Sequence, residues 1–309
     1  MFKKPIKLST KTLVMIAVCA LLVVVFALYM IISASLSDAQ RLSYELKADG
    51  TYEIVDVKNS YRGGWFAKDT IVIPAKHKGV AVTSIKTLNL QKTKNVEISE
   101  GIKSIGVSAF YGGSVETVKL PSTLTSIGNN AFNGCHNLKE INLPEGIKSL
   151  ANGTFKDCRS LASLTIPSTV TSIGNEVFNG CVSLTSLIIP DSVTSIGNNT
   201  FLNCTELKTV TLSASLEKIG TSAFSGCTAL TSITIPENVT NIGANAFVNC
   251  TNLTSVTFAA TSDWSVTATT TNATAEEVSS SDLANATTAA SLLTTEHVAK
   301  VWTRGTVEE

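Results

Sequence analysis

The chain predicts an elongated solenoid of stacked coils, and three columns of residues predict it. Cysteine recurs every 23 residues, at Cys135, Cys158, Cys181, Cys204, Cys227 and Cys250. Phenylalanine stands three residues before each, at Phe132, Phe155, Phe178, Phe201, Phe224 and Phe247. Proline recurs at Pro121, Pro144, Pro167, Pro190 and Pro236, with Ser213 in the one gap. A fixed period of this length means one supersecondary unit stacked on copies of itself. Such an array also argues against any of its residues being a unique catalytic group.

An aliphatic position keeps the same step at Ile127, Leu150, Ile173, Ile196, Ile219 and Ile242, and upstream the step shortens through Ile85 and Ile105. There Leu90 and Phe110 stand in the phenylalanine column and cysteine is absent. Residues 82–258 therefore read as about eight coils, the first two irregular as terminal repeats tend to be. Within one unit, Leu161, Leu164 and Ile166 follow L-x-x-L-x-L, and Leu164 to Ile166 alternates like a half-buried strand. Pro167 ends it because proline cannot donate to a ladder. Val170 and Ile173 form a second apolar pair, Gly174 permits a tight corner, and residues 176–181 compose a short turn carrying one large apolar plug. Stacked at roughly 4.7–4.9 Å, the strand spacing, the Leu, Ile and Phe faces close into continuous ladders. The expected fold class is a leucine-rich-repeat-like solenoid of parallel strands with short helical or 3-10 turns, an N-terminal transmembrane helix and a small cap at each end.

The flanks complete the expected domain plan. Residues 1–12 read as a cytoplasmic basic tail with Lys3, Lys4, Lys7 and Lys11. Residues 13–32 carry no charge and match the ~20 residues that span a bilayer, so they read as a transmembrane signal-anchor with the remainder outside. The alternative is a signal peptide cleaved after the small residues Ser33-Ala34-Ser35, which would secrete the chain. Residues 33–81 read as a linker and hairpin cap in which Gly50 takes the left-handed turn position. That hairpin pairs Tyr44 with Ile54 and Leu46 with Tyr52, putting four apolar side chains on one face. Residues 259–309 read as a C-terminal cap, with Trp264 as anchor and a helix capped near Ser281-Asp282 that carries Leu283, Ala286, Ala290 and Leu293.

The unit C-x-x-L-x-x-I-x-I-P-x-x-V-T-S-I-G-x-x-x-F resembles the BspA-like, treponemal-type leucine-rich repeat, over Val82 to Phe258. The resemblance implies a bacterial surface or secreted protein that adheres to host proteins or other cells. It also implies a tail containing tryptophan. It names no ligand.

Basic and acidic residues balance at 24 each. Setting aside the four N-terminal lysines leaves 20 against 24, net −4, which gives no electrostatic footprint for nucleic acid. A cysteine column could be a disulfide series, a metal site or packing. Parallel Cβ vectors ~4.8 Å apart do not suit a disulfide, and a straight column cannot converge tetrahedrally on a metal. Packing is the expected role: a small buried hydrophobe beside the phenylalanines. His77, His136 and His297 form no cluster in sequence, and the slots equivalent to His136 hold Arg159, Val182, Thr205, Thr228 and Thr251. With no phosphate loop, serine elbow or carboxylate pair, the expectation is a non-enzyme without cofactor or metal. Strand alternation turns Glu140, Asn142, Ser163, Thr165, Ser186, Ile188, Thr209, Thr211, Ser232, Thr234, Ser255 and Thr257 outward as the candidate ligand face. The expected function is a cell-surface interaction protein, held in the membrane by its N-terminal helix, that binds an extracellular protein or glycan. The alternative is a structural envelope solenoid with no specific ligand.

Overall fold

In a computed structural model the described residues are 10–35, 37–58, 69–88, 90–268 and 275–305; Lys3, Lys4 and Lys7 lie outside them. Each coil contributes a short corner strand and a turn, and every coil but that of Ser163–Thr165 adds a second short strand. The first strand set lies at the corners, and its aliphatic residues pair parallel and in register. Ile85 meets Ile105, Ile105 meets Ile127, and Leu150, Ile173, Ile196, Ile219 and Ile242 follow on one another. The second set forms a broader strand face: Thr70–Ile73, Asn95–Ile98, Thr117–Lys119 and Glu140–Ile141, then Ser186–Ile188 on Thr209–Thr211, and Ser232–Ile235 on Ser255–Phe258. Alternation follows from the period of two. In Ser232–Ile235, Ile233 and Ile235 are buried while Ser232 and Thr234 are exposed.

The third side of the coil is a turn held by left-handed residues at two fixed places. Ser108, Asn130, Glu176, Asn199, Ser222 and Asn245 take φ of 53 to 58°, with Gly153 at 62° in the same column. Gly134, Asp157, Gly180, Asn203, Gly226 and Asn249 take the second place. Glycine, asparagine and aspartate bear this conformation most cheaply, which explains the Asn/Gly/Ser composition of the turns. Beside it runs an asparagine ladder. Asn129 Oδ1 accepts the Asn152 N–H at 3.1 Å, Asn152 accepts from Asn175 and Asn175 from Asn198 at 2.8 Å, and Asn198 accepts from Thr221 at 2.9 Å.

Glycine follows the corner aliphatic for lack of room. A Cβ on Gly128 would lie 2.7 Å from the Gly106 carbonyl carbon; on Gly197 or Gly220 it would lie 2.5 Å from the carbonyl carbon one coil back. Ala151 alone departs from this column between residues 106 and 243. There the corner ladder stops: Ser126–Ile127 closes one sheet and Ser149–Leu150 opens the next.

The structure corrects three expectations. Leu164 to Ile166 forms no strand, so Ser163 and Thr165 sit in irregular backbone that pairs with neither neighbouring coil, and the face is also broken between Thr209–Thr211 and Ser232–Ile235. The hairpin pairs Tyr44 with Ile54 and Leu46 with Tyr52, and Gly50 takes φ +79°, but only Ile54 is buried and Leu46 is 61% exposed. The hairpin's second strand, Tyr52–Val57, joins Val80–Ile85, so it lengthens the corner sheet instead of lying over the first coil. The C-terminal helix is split: Ser280–Ala284 starts on Ser279, and Asn285 breaks it because its Oδ1 accepts from Thr287 and Thr288 to start Ala286–Ser291. At the N-terminus Thr10–Ser35 is helical, and among the described residues no helix is long and apolar enough to cross a membrane.

Both ends of the stack are closed. Asp38 Oδ2 accepts the Val72 N–H at 2.9 Å, occupying the open edge of the first face strand. At the other end Lys300–Arg304 pairs antiparallel with Asn241–Ile242, so the parallel ladder cannot continue. Trp264, Trp302 and Phe258 pack together over the last coil, with ring centroids 5.3 to 6.3 Å apart.

The glycine column gives a test. Replacing Gly220 with Ala forces its methyl into the Gly197 carbonyl and lowers unfolding free energy by about 1–3 kcal/mol, the cost of overpacking. The exposed Ser215→Ala change stays within ~0.5 kcal/mol. Urea melts followed by circular dichroism measure both, and equal midpoints would contradict the clearance argument.

Candidate functional site

Two constructions run the length of the array, and they differ in what chemistry they allow. The first is the internal spine. Phe110, Phe132, Phe155, Phe178, Phe201, Phe224 and Phe247 are fully buried and stack nearly parallel, with interplanar angles of 5 to 11°. Centroids lie 5.0 Å apart for Phe110–Phe132 and Phe201–Phe224, and widen to 5.7 and 5.8 Å on either side of Phe155.

Cys135, Cys158, Cys181, Cys204, Cys227 and Cys250 are buried free thiols beside this stack. Each thiol has a partner that the sequence did not disclose. Cys158 Sγ donates to the carbonyl of Phe132, Cys181 to Phe155, Cys204 to Phe178, Cys227 to Phe201 and Cys250 to Phe224, and Cys135 donates to Phe110, all at 3.0–3.2 Å. The Phe132 carbonyl also accepts the Cys135 N–H at 3.1 Å. So the cysteines fill space and also tie each coil to the one before it. Burial pushes all six thiols upward, Cys135 and Cys250 to about 12. A protonated, enclosed thiol is a poor nucleophile and a poor metal ligand. Among the described residues no cluster of three His, Cys, Asp or Glu side chains could hold a metal.

The second construction is the strand face. Of the twelve predicted face residues, all are exposed except the half-buried Ser255. They fall in two columns. Ser186 pairs with Thr209 and Ser232 with Ser255; Ile188 pairs with Thr211 and Thr234 with Thr257. A shallow groove of about 830 Å³ lies over this stretch, lined by Thr209, Thr211, Ser232, Thr234, Ser255 and Thr257 with Glu237 and Asn238 at the margin. Ile188 stands 70% exposed.

Towards the N-terminus the same face is different in kind. A second groove of about 560 Å³ is lined by Thr70, Asn95, Glu97, Thr117, Lys119, Glu140 and Asn142. Sequence reasoning missed the first five of these, because the shortened period hid their register; the parallel pairing of Thr70 with Asn95 and Asn95 with Thr117 supplies it. Asn142 is already engaged: its amide bridges Leu120, accepting from the N–H at 3.0 Å and donating to the carbonyl at 3.1 Å. Ser163 and Thr165 sit between the two grooves in the stretch without a strand.

His136 is exposed, its Nδ1 lies 2.9 Å from the Asp157 carbonyl, and it stands on the turn away from the face. His77 stacks on Tyr44 at 3.8 Å in the N-terminal cap. His297 meets Trp302 in the C-terminal cap. The three histidines therefore form no common site.

Comparison with known proteins agrees on the repeat. The BspA type leucine rich repeat region matches in six copies over residues 84–207 and 171–273. The solved structure of a T. pallidum leucine rich repeat protein is 28% identical, covering 70% of this chain and 89% of that one with a TM-score of 0.52. A leucine rich cell surface protein from Faecalibacterium prausnitzii is 22% identical over 71% of this chain and 93% of that one, with a TM-score of 0.35. No curated protein matches the chain.

The spine predicts an alkaline limit. In the unfolded chain a thiol ionises near its ordinary value of ~8.5, whereas the folded thiols hold their protons well above it. Above that pH the unfolded state binds fewer protons than the native one, so stability is complete below ~8.5 and falls towards the folded values near 12. Replacing Cys181 and Cys204 by Ala should make this fall shallower by roughly 1.4 kcal/mol per pH unit for each thiol removed. Urea midpoints from pH 8 to pH 11 read the slope. At neutral pH, none of the six should react with a maleimide until the chain unfolds.

Proposed function

The chain belongs to the BspA-type leucine-rich repeat family, and on that footing we propose that it is a surface-displayed interaction protein that binds a protein or glycan partner along its strand face. The observation that carries this reading is the pair of outward columns, Ser186-Thr209-Ser232-Ser255 and Ile188-Thr211-Thr234-Thr257, whose last three members in each line one groove. Small hydroxyls there can both donate and accept, and they lose little rotamer entropy on binding. Repeats of this family build extended surfaces, and the reading assigns the chain no catalytic group.

The N-terminal helix is its single-pass anchor, with the solenoid outside the cell. The charge-free run 13–32 preceded by Lys3, Lys4, Lys7 and Lys11 supports that orientation. Arginine at both Leu22 and Val25 costs about 2.5–3.5 kcal/mol per residue at a helix centre, enough to move the chain from the membrane pellet to the soluble fraction. Retention of that double variant in washed membranes would remove the anchor from the proposal.

Binding is tested with the full chain in detergent, probed against a glycan array and an immobilised envelope fraction. The triple variant Thr211→Glu, Thr234→Glu, Thr257→Glu places carboxylates along one column and should weaken binding by about tenfold or more, since burying unpaired charge at an interface is costly. Lys148→Glu, at the corner, should leave binding unchanged. Binding that survives the triple variant would exclude this face. The absence of tryptophan, tyrosine and arginine from the twelve predicted face residues favours one other reading, a structural envelope solenoid. No binding by the parent chain would select it.

A further inference from the structure

The stack is not uniform, and its one weak junction has an identifiable cause. Between the coil of Ile127 and the coil of Leu150 both strand ladders are open together: Ser126–Ile127 does not pair with Ser149–Leu150, and Glu140–Ile141 has no strand to pair with at Ser163–Thr165. At the other junctions from the coil of Ile85 to that of Ile242, the corner ladder is continuous even where the face is interrupted. The corner bond shows the same gap. Gly106, Gly128, Gly174, Gly197, Gly220 and Gly243 each donate their N–H to the aliphatic carbonyl one coil back, at 2.7–3.1 Å. Among the described residues, no such bond joins Ala151 to Ile127.

Ala151 is the residue that puts a methyl where those glycines have none. In the intact glycine junctions a Cβ would come within 2.4–3.0 Å of the previous coil's backbone. Such contact cannot be kept, so the coils part.

The turn side does not part. Asn130 N–H still donates to Asn152, Phe132 to Thr154 and Gly134 to Lys156 at 2.8–2.9 Å, and the Cys158 thiol reaches Phe132 at 3.2 Å. On the other two sides the bridges are side-chain ones, Asn152 N–H to Asn129 Oδ1 at 3.1 Å and Thr169 Oγ1 to the Glu145 and Ile147 carbonyls at 2.8 and 2.9 Å, so the junction is held without strand pairing and is the weakest in the stack.

We infer that the solenoid is two cooperative blocks, residues up to about 148 and from about 149 onward, meeting at a junction that Ala151 weakens. In a linear stack, cooperativity passes only through neighbouring interfaces, so weakening one interface separates the units on either side. The inference concerns the fold alone and stands whether or not the strand face binds a ligand. Its functional consequence is that the charged N-terminal groove and the hydroxyl C-terminal groove lie on different blocks.

The buried thiols make the test residue-specific. The full chain, in detergent, is pulsed with a maleimide across a urea series, and the modification of each cysteine is read by peptide mass spectrometry. Cys135 reports the first block; Cys204, Cys227 and Cys250 report the second. The parent chain should show two midpoints, with Cys135 apart from the other three. Ala151→Gly restores the glycine column and should bring all four to one midpoint, together with about tenfold greater hydrogen-exchange protection at position 151. A single shared midpoint in the parent chain would overturn the two blocks, a result that does not depend on any variant folding. Two midpoints that Ala151→Gly leaves in place would overturn the assignment of the weak junction to Ala151.

Discussion

Everything in this molecule depends on one repeated interaction, the backbone hydrogen bond that each coil makes to the coil beside it. The corner glycines donate backwards to the preceding aliphatic carbonyl, and the turn residues donate forwards, as Phe155 does to Val177 and Phe178 to Thr200. Once that axial register is set, each side chain faces its own counterpart one period away. The columns are therefore consequences of a backbone condition. Phenylalanine stacks on phenylalanine because the turn repeats. Asparagine bonds to the next coil because its amide is always one spacing from the same N–H. Glycine recurs wherever that spacing leaves no space for a methyl.

The cysteine column shows how a packing residue is selected under this constraint. The Phe132 carbonyl takes the Cys135 N–H of its own coil and keeps a lone pair facing the next. An alanine one coil on would leave that lone pair buried without a donor, and a serine would bring a stronger donor whose other lone pairs find no partner. A thiol supplies a weak donor, fills the slot beside the ring and asks little of its surroundings. The same burial that makes it a good wall makes it chemically quiet, because the thiolate needed for oxidation or exchange is disfavoured. Six unpaired thiols are then compatible with life outside the cytoplasm for a physical reason, their protonation and enclosure.

How much of this was legible in the sequence follows from which features repeat. The coil, the buried columns and the alternation of the C-terminal strand face were readable because each recurs at a fixed step of 23 residues with its register visible. The strand expected at Leu164 was not, although its local alternation is as good as that of Ser186–Ile188. Alternation describes one strand, and a strand exists only when a neighbour lies at ladder distance. The signal for the failure was present in the sequence, one position removed from where it was sought: Ala151 interrupts a glycine column that a reading of corner turns treats as mere flexibility. Non-repeating parts were the hardest to read. Asn285 looked like one more polar residue on a helix, and only its side-chain bonds to Thr287 and Thr288 show it as the start of a second one. The N-terminal face was hidden for the opposite reason, since its repeats exist but run at a different period.

A surface of this composition also limits how recognition could work on it. Small hydroxyls on a flat sheet make modest contacts one at a time, each net hydrogen bond contributing about 0.5–1.5 kcal/mol. Affinity must then accumulate over several coils, and that requires the partner's groups to keep step with the coil spacing. A rigid column does this well over the paired strands Ser186–Ile188 with Thr209–Thr211 and Ser232–Ile235 with Ser255–Phe258. It cannot do so across Ser163–Thr165, where the register is not maintained by any ladder. A partner long enough to touch both grooves must bridge that stretch without a ladder, and one confined to the hydroxyl columns need not. The irregular coil therefore bears on specificity as well as stability: it sets how much of the face can act as a single surface.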